Sequence, residues 1–127
     1  MMRYTAALAG LVMLAGCAGQ PATQQTGEFR AYRANDQLQL DRIPTLNEDE
    51  PGCHDMLLTL RVYRVAQVGF EHCTVYAERN CEEGAEVPVS WKQDDEPVTQ
   101  FTQGDRWFVV SDHPQGRDIG SWHCEAR

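Results

Sequence analysis

The hydrophobic pattern changes character twice along the chain. Thr5–Leu14 is a continuous apolar run of about the length of a signal-peptide core and too short to span a bilayer as a helix. Residues 18–50 are poor in apolar side chains. Gln20–Gly27 is polar throughout, and Phe29, Tyr32, Leu38, Leu40 and Ile43 are scattered among charges, which leaves room for one short helix or an added edge strand. From Cys53 onward short apolar runs alternate with turn signals. In Leu57–Val65, Leu58, Leu60 and Val62 share one parity against Thr59, Arg61 and Tyr63. That is the period of a half-buried strand, and the β-branched and aromatic content favours strand over the rival helical stripe.

Further runs at Phe70–Ala77, Glu86–Lys92, Pro97–Thr102, Arg106–Ser111 and Ile119–Cys124 are separated by Gly-, Pro- and Asp-rich breaks. About six short strands predict an all-β fold: a small antiparallel barrel or sandwich, disulfide-stapled, behind an extended N-terminal tether. The division expected is 1–16 a signal peptide, 17–50 a lipidated N-terminus and flexible linker, and 51–127 the β domain, bounded by the acidic turn Asn47–Gly52. The loop at Gln103–Asp105 sets Phe101 opposite Trp107, and Trp91, Trp107, Phe108 and Trp122 are the large side chains available to fill a small core.

The 127 residues carry a formal charge of −8. Removing residues 1–16 takes away Arg3 and no acid, so the remainder is more negative still. This argues against nucleic acid as a partner and against direct adsorption to anionic lipid, because both need a positive field.

Leu14-Ala15-Gly16-Cys17, after Arg3 and the apolar run, resembles the lipobox of bacterial lipoproteins. The resemblance covers the first 17 residues. It implies cleavage before Cys17, a diacylglycerol on its thiol and an acyl group on its new amine, so the covalent lipid stands in place of any cofactor. Ala18, not Asp, follows the cysteine, which in enteric-type sorting implies the outer membrane, with the domain on its periplasmic face.

Four cysteines then remain: Cys53, Cys73, Cys81 and Cys124. In an oxidising compartment they predict two disulfides, with three connectivities open. A hairpin of Leu57–Val65 with Phe70–Ala77, turning near Gln67, would set Cys53 opposite Cys81 and leave Cys73 for Cys124. This is the preferred pairing.

Three cysteines have a histidine neighbour. Adjacent strand residues point to opposite faces, and disulfide sulfurs cannot ligate, so a Cys–His metal site is disfavoured. If Cys73 pairs with Cys124, His72 and His123 come close enough to be a two-histidine metal site. No nucleophile elbow, phosphate loop or CxxC is present, and Ser111-Asp112-His113 is only a run of triad residue types. No catalytic residue is assigned and the chain is read as a non-enzyme.

Thr102-Gln103-Gly104-Asp105 with Cys124 near the C-terminus resembles the end of the periplasmic lysozyme-inhibitor lipoproteins. Their Ser-Gly-x-x-Tyr motif is missing, so no inhibitory contact residue carries over. The expectation is a non-catalytic, membrane-anchored binding or structural module of the cell envelope with an envelope protein partner. The alternatives are an inhibitor of a basic hydrolase such as lysozyme, and a periplasmic metal binder.

Overall fold

The computed structural model describes residues 27–91, 95–102, 107–110 and 114–127. The signal segment, Cys17 and most of the polar linker lie outside them, as do parts of three expected turns: Lys92–Asp94, Gln103–Arg106 and Ser111–His113.

The described chain is all-β. Eight strands run β1 Glu28–Ala34, β2 Leu40–Ile43, β3 Gly52–Val62, β4 Arg64–Val68, β5 His72–Tyr76, β6 Glu86–Val87, β7 Phe108–Val109 and β8 Arg117–Glu125. They form two four-stranded antiparallel sheets, sheet I in the order β2-β1-β4-β7 and sheet II in the order β3-β8-β5-β6. The strand count is eight instead of six, and the sheets do not close into a barrel. Pro97–Thr102, expected as a strand, makes only single bridges, Val98 to Val89 and Phe101 to Cys73.

The fold starts earlier than the expected boundary at residue 51. In β1, Phe29 and Ala31 are buried while Glu28, Arg30 and Tyr32 face outward, so this strand has the alternation of a sheet with one solvated face. It pairs with β2 on one side and β4 on the other. Residues 28–43 are therefore sheet, not tether. The β1–β2 turn is shaped by Asn35, whose Oδ1 accepts hydrogen bonds from the backbone N–H groups of Gln37 and Gln39, each at 2.9 Å.

The run expected as one strand, Leu57–Val65, is split between the two sheets. Val62 pairs with Arg117 in sheet II, and the next residue, Tyr63, already donates to the Tyr32 carbonyl of sheet I at 2.8 Å. Upstream, the register between β3 and β8 shifts between Asp55 and Leu60, a bulge that breaks period two. Leu58, predicted to share the inner face with Leu60 and Val62, is exposed.

The chain does turn after Gln67, as expected, but into a different sheet. The expected hairpin does not form: β4 pairs with β1 and β7, and β5 with β6 and β8. Buried Gln67 organises this crossing. Its Oε1 accepts from the Phe70 N–H at 3.1 Å, and its Nε2 donates to the Phe70 carbonyl at 3.3 Å. A second crossing follows at 87–90, where Val87 pairs with β5 and Ser90 with Val109 of β7.

Between the sheets lies one core. Phe29, Met56, Phe70, Phe101, Ile119 and Trp122 are its largest apolar members. Of the four aromatics expected inside, Trp122 and Phe108 are buried, whereas Trp91 and Trp107 are 37% and 40% exposed. Phe101 meets Phe108, at 5.4 Å between ring centroids, in place of Trp107. The one-residue change of parity sends Trp107 to the outside.

Candidate functional site

The four cysteines form two bridges that hold different parts of sheet II. Cys73 and Cys124 face each other in register across β5 and β8, Cα atoms 4.1 Å apart, inside the core. Cys53 on β3 bonds Cys81 at the end of a single 3-10 turn, Arg79–Cys81, on the outside of the same sheet. The partners are those preferred from the sequence, but the geometry that joins them is different: β8 brings Cys124 to Cys73, and the 3-10 turn brings Cys81 to Cys53.

That turn is seated on β8 by Ser121. The Ser121 hydroxyl donates to the Glu78 carbonyl and accepts from the Cys81 N–H at 2.8 Å. Arg79 bridges to Asp55 at 3.2 Å and donates to the Met56 carbonyl, which fixes the turn to the bulge of β3.

His72 and His123 lie on the face of sheet II opposite the Cys73–Cys124 bridge. His72 is opposite Glu125 and His123 opposite Thr74, so the histidines are diagonal neighbours. His123 Nε2 is 3.5 Å from Glu125, and His72 Nδ1 is buried without a hydrogen-bond partner. Among the described residues no three His, Cys, Asp or Glu side chains converge as a metal would require. His54 is used structurally: its ring packs 4.6 Å from that of Trp122, and its Nε2 is 3.1 Å from the Glu50 and Pro51 carbonyls.

A shallow cleft of about 600 Å³ lies beside the bulge and includes Arg61, Arg79 and Arg117. Arg61 donates to the Gln115 and Gly116 carbonyls, and Arg79 is committed to Asp55 and Met56. Two of these three cations thus already hold the fold.

The outer face of sheet I was not singled out from the sequence. One rung crosses all four of its strands: Arg42 on β2, Tyr32 on β1, Arg64 on β4 and Val109 on β7. Trp107 stands beside this rung. Its ring meets Tyr32 edge-on at 5.6 Å, and the Arg64 guanidinium lies 5.2 Å from its centroid and 5.0 Å from that of Tyr63. These are cation–π distances. Arg64 Nε is buried and has no hydrogen-bond partner.

At the other end of the face, Glu28 is clasped between Arg42 and Arg30, both at 2.8 Å. The hydrogen bond from Arg42, then that from Arg30, holds the Glu28 carboxyl below its ordinary value. The outward strand positions carry three arginines against one glutamate, in a chain of charge −8. The signal for this face was present: Glu28-Phe29-Arg30-Ala31-Tyr32 alternates perfectly once Ala31 is counted as a core residue.

No family model, curated protein or solved structure matches this chain.

Proposed function

We propose that this chain is a non-catalytic binding module of the cell envelope, held at the periplasmic face of the outer membrane by a lipid on Cys17. In this reading the two sheets are a small β-sandwich that serves as a rigid, disulfide-locked platform. One observation carries the binding role. The core is already filled by Trp122, Phe29, Phe70 and Phe101, yet Trp107 is set on the outer face of sheet I with Tyr32 and Arg64 against it, and Arg64 in turn lies over Tyr63. Aromatic side chains ordered at a surface by neighbours of this kind are typical of recognition sites.

The anchor reading gains a geometric consequence from the early start of the fold. Only residues 18–26 separate Cys17 from Gly27, and ten links of extended chain span at most about 35 Å. The module would work close to the membrane surface, on components that lie within that reach.

The test is mass spectrometry of the protein isolated from the membranes of its native host. The expected N-terminal peptide begins at Cys17 and carries the mass of a diacylglycerol and an acyl chain, and Cys17→Ser moves the protein to the soluble fraction. An uncleaved or unacylated N-terminus overturns the reading.

A further inference from the structure

We propose that the outer face of sheet I binds an acidic glycan: a chain of pyranose rings bearing carboxylates. The inference rests on the binding-module reading and names its ligand class. It starts from Arg64. Its guanidinium lies at cation–π distance from both the Tyr63 and the Trp107 rings, and its Nε is buried, so the planar group is held in one place on this face. A planar guanidinium fork matches a carboxylate.

The second cation of the rung, Arg42, shares Glu28 with Arg30, so these three side chains together keep one positive charge for a ligand. Arg42 is two strands away from Arg64. At the usual strand spacing, that places the two arginine positions about 10 Å apart with Tyr32 between them. A glycan with a carboxylate on alternate rings offers acids at a comparable interval. Its C–H ring faces can cover Tyr32 and Trp107, burying apolar surface on both sides.

The setting narrows the choice. A peptide strand adds most readily to a sheet edge, where backbone groups are unpaired, whereas this surface is the face of β1 and β4, whose edges are already taken by β2 and β7. A broad anionic surface such as a membrane or nucleic acid would meet the remaining acidic chain as well as the three arginines. A narrow polymer lying along the rung meets fewer acids, with Glu28 and Glu48 at the Arg42 end.

The experiment uses the full-length protein in detergent and immobilised peptide-free peptidoglycan strands, whose muramic acid units carry the carboxylate. Chitin serves as the neutral glycan and polyglutamate as the acidic non-glycan. Expected results are saturable binding to the acidic strands, at least tenfold tighter than to chitin or polyglutamate and weakened by salt. Trp107→Ala and Arg64→Lys should each lower affinity tenfold or more, while Trp107→Phe retains most of it and Leu38→Ala, at an exposed turn, changes nothing.

No binding by the wild-type protein, equal binding to chitin, tighter binding to polyglutamate, or wild-type affinity in the Trp107→Ala and Arg64→Lys variants overturns the proposal. Absence of glycan binding by a protein acylated at Cys17 removes this inference alone. An unacylated Cys17 removes the anchor reading beneath it.

Discussion

The ring of Phe29, in the first strand of sheet I, lies stacked on the indole of Trp122 in sheet II, with centroids 4.4 Å apart and planes 10° from parallel. Both residues are fully buried. This contact joins the N-terminal strand to the last strand across the core, so the two ends of the described chain hold each other in place. Such pairs contribute about 0.5–1.5 kcal/mol beyond the apolar area they bury.

Phe29→Ala should therefore cost about 3–5 kcal/mol, the range for emptying a buried phenylalanine site. Equilibrium urea unfolding followed by tryptophan fluorescence would measure it. A loss under 1 kcal/mol would mean that β1 is an accessory strand and not part of the core.

Much of the β character was legible because β5 and β8 sit close to where their apolar runs suggested, at Phe70–Ala77 and Ile119–Cys124. What was hidden has three physical causes. Ala31 and the arginines around it made β1 look polar, although a small residue suffices where Phe29 fills the space. The bulge after Asp55 moved Leu58 outward, and no periodicity argument anticipates an insertion in a strand. Size did not decide burial either. Trp91 and Trp107 belong to short end segments near the sheet I edge, where parity sends a large ring outward as readily as inward. The candidate binding face was legible only in the alternation of Glu28–Tyr32; the outward placement of Trp107 and the pairing of β1 with β4 have no signal in the periodicity.

The two disulfides should respond differently to reduction. Each closes a long loop, with sequence separations of 28 and 51, and the chain-entropy relation gives about 3–4 kcal/mol for both. Access separates them. Cys53 is exposed and Cys81 half-buried, whereas Cys73 and Cys124 are buried. Timed alkylation during mild dithiothreitol treatment, read by mass spectrometry, should label Cys53 and Cys81 first while the fold persists. Cys73 and Cys124 should become reactive only with global unfolding. Simultaneous labelling of all four would contradict this order.

Acid should weaken sheet I through Glu28. Its carboxyl is held below the ordinary value of 4.5 by Arg42 and Arg30, so the fold favours the charged form. The contribution is complete above the unfolded-state value and is lost as pH falls through the lower folded value. The carboxylate is partly exposed, which limits its size to a few tenths up to about 1 kcal/mol. Urea midpoints at pH 6, 4.5 and 3 for the wild-type and Glu28→Gln proteins should show the variant losing less stability toward low pH. Identical pH profiles would show that the Arg42–Glu28–Arg30 clasp contributes nothing.

Gly120 offers the sharpest test of how the 3-10 turn is seated. The residue is buried in β8, and a Cβ there would come within 2.7 Å of the Glu78 carbonyl carbon and 3.0 Å of the Arg79 nitrogen, both backbone atoms that cannot swing aside. Gly120→Ala must therefore lift the Glu78–Cys81 segment off the sheet and stretch the Ser121 bonds to Glu78 and Cys81. A cost of about 1–3 kcal/mol is expected, as for other overpacked sites. The damage should be local. Cys53 and Cys81 should be reduced faster in the variant, while the buried Cys73–Cys124 bridge keeps its wild-type protection, because the backbone atoms a Cβ would displace belong to Glu78 and Arg79, beside Cys81. Ser121→Ala removes the same two hydrogen bonds without the clash, so it should give a smaller acceleration in the same direction. Unchanged reduction kinetics in both variants would mean that the disulfide alone, without Ser121 and the close approach at Gly120, fixes the turn.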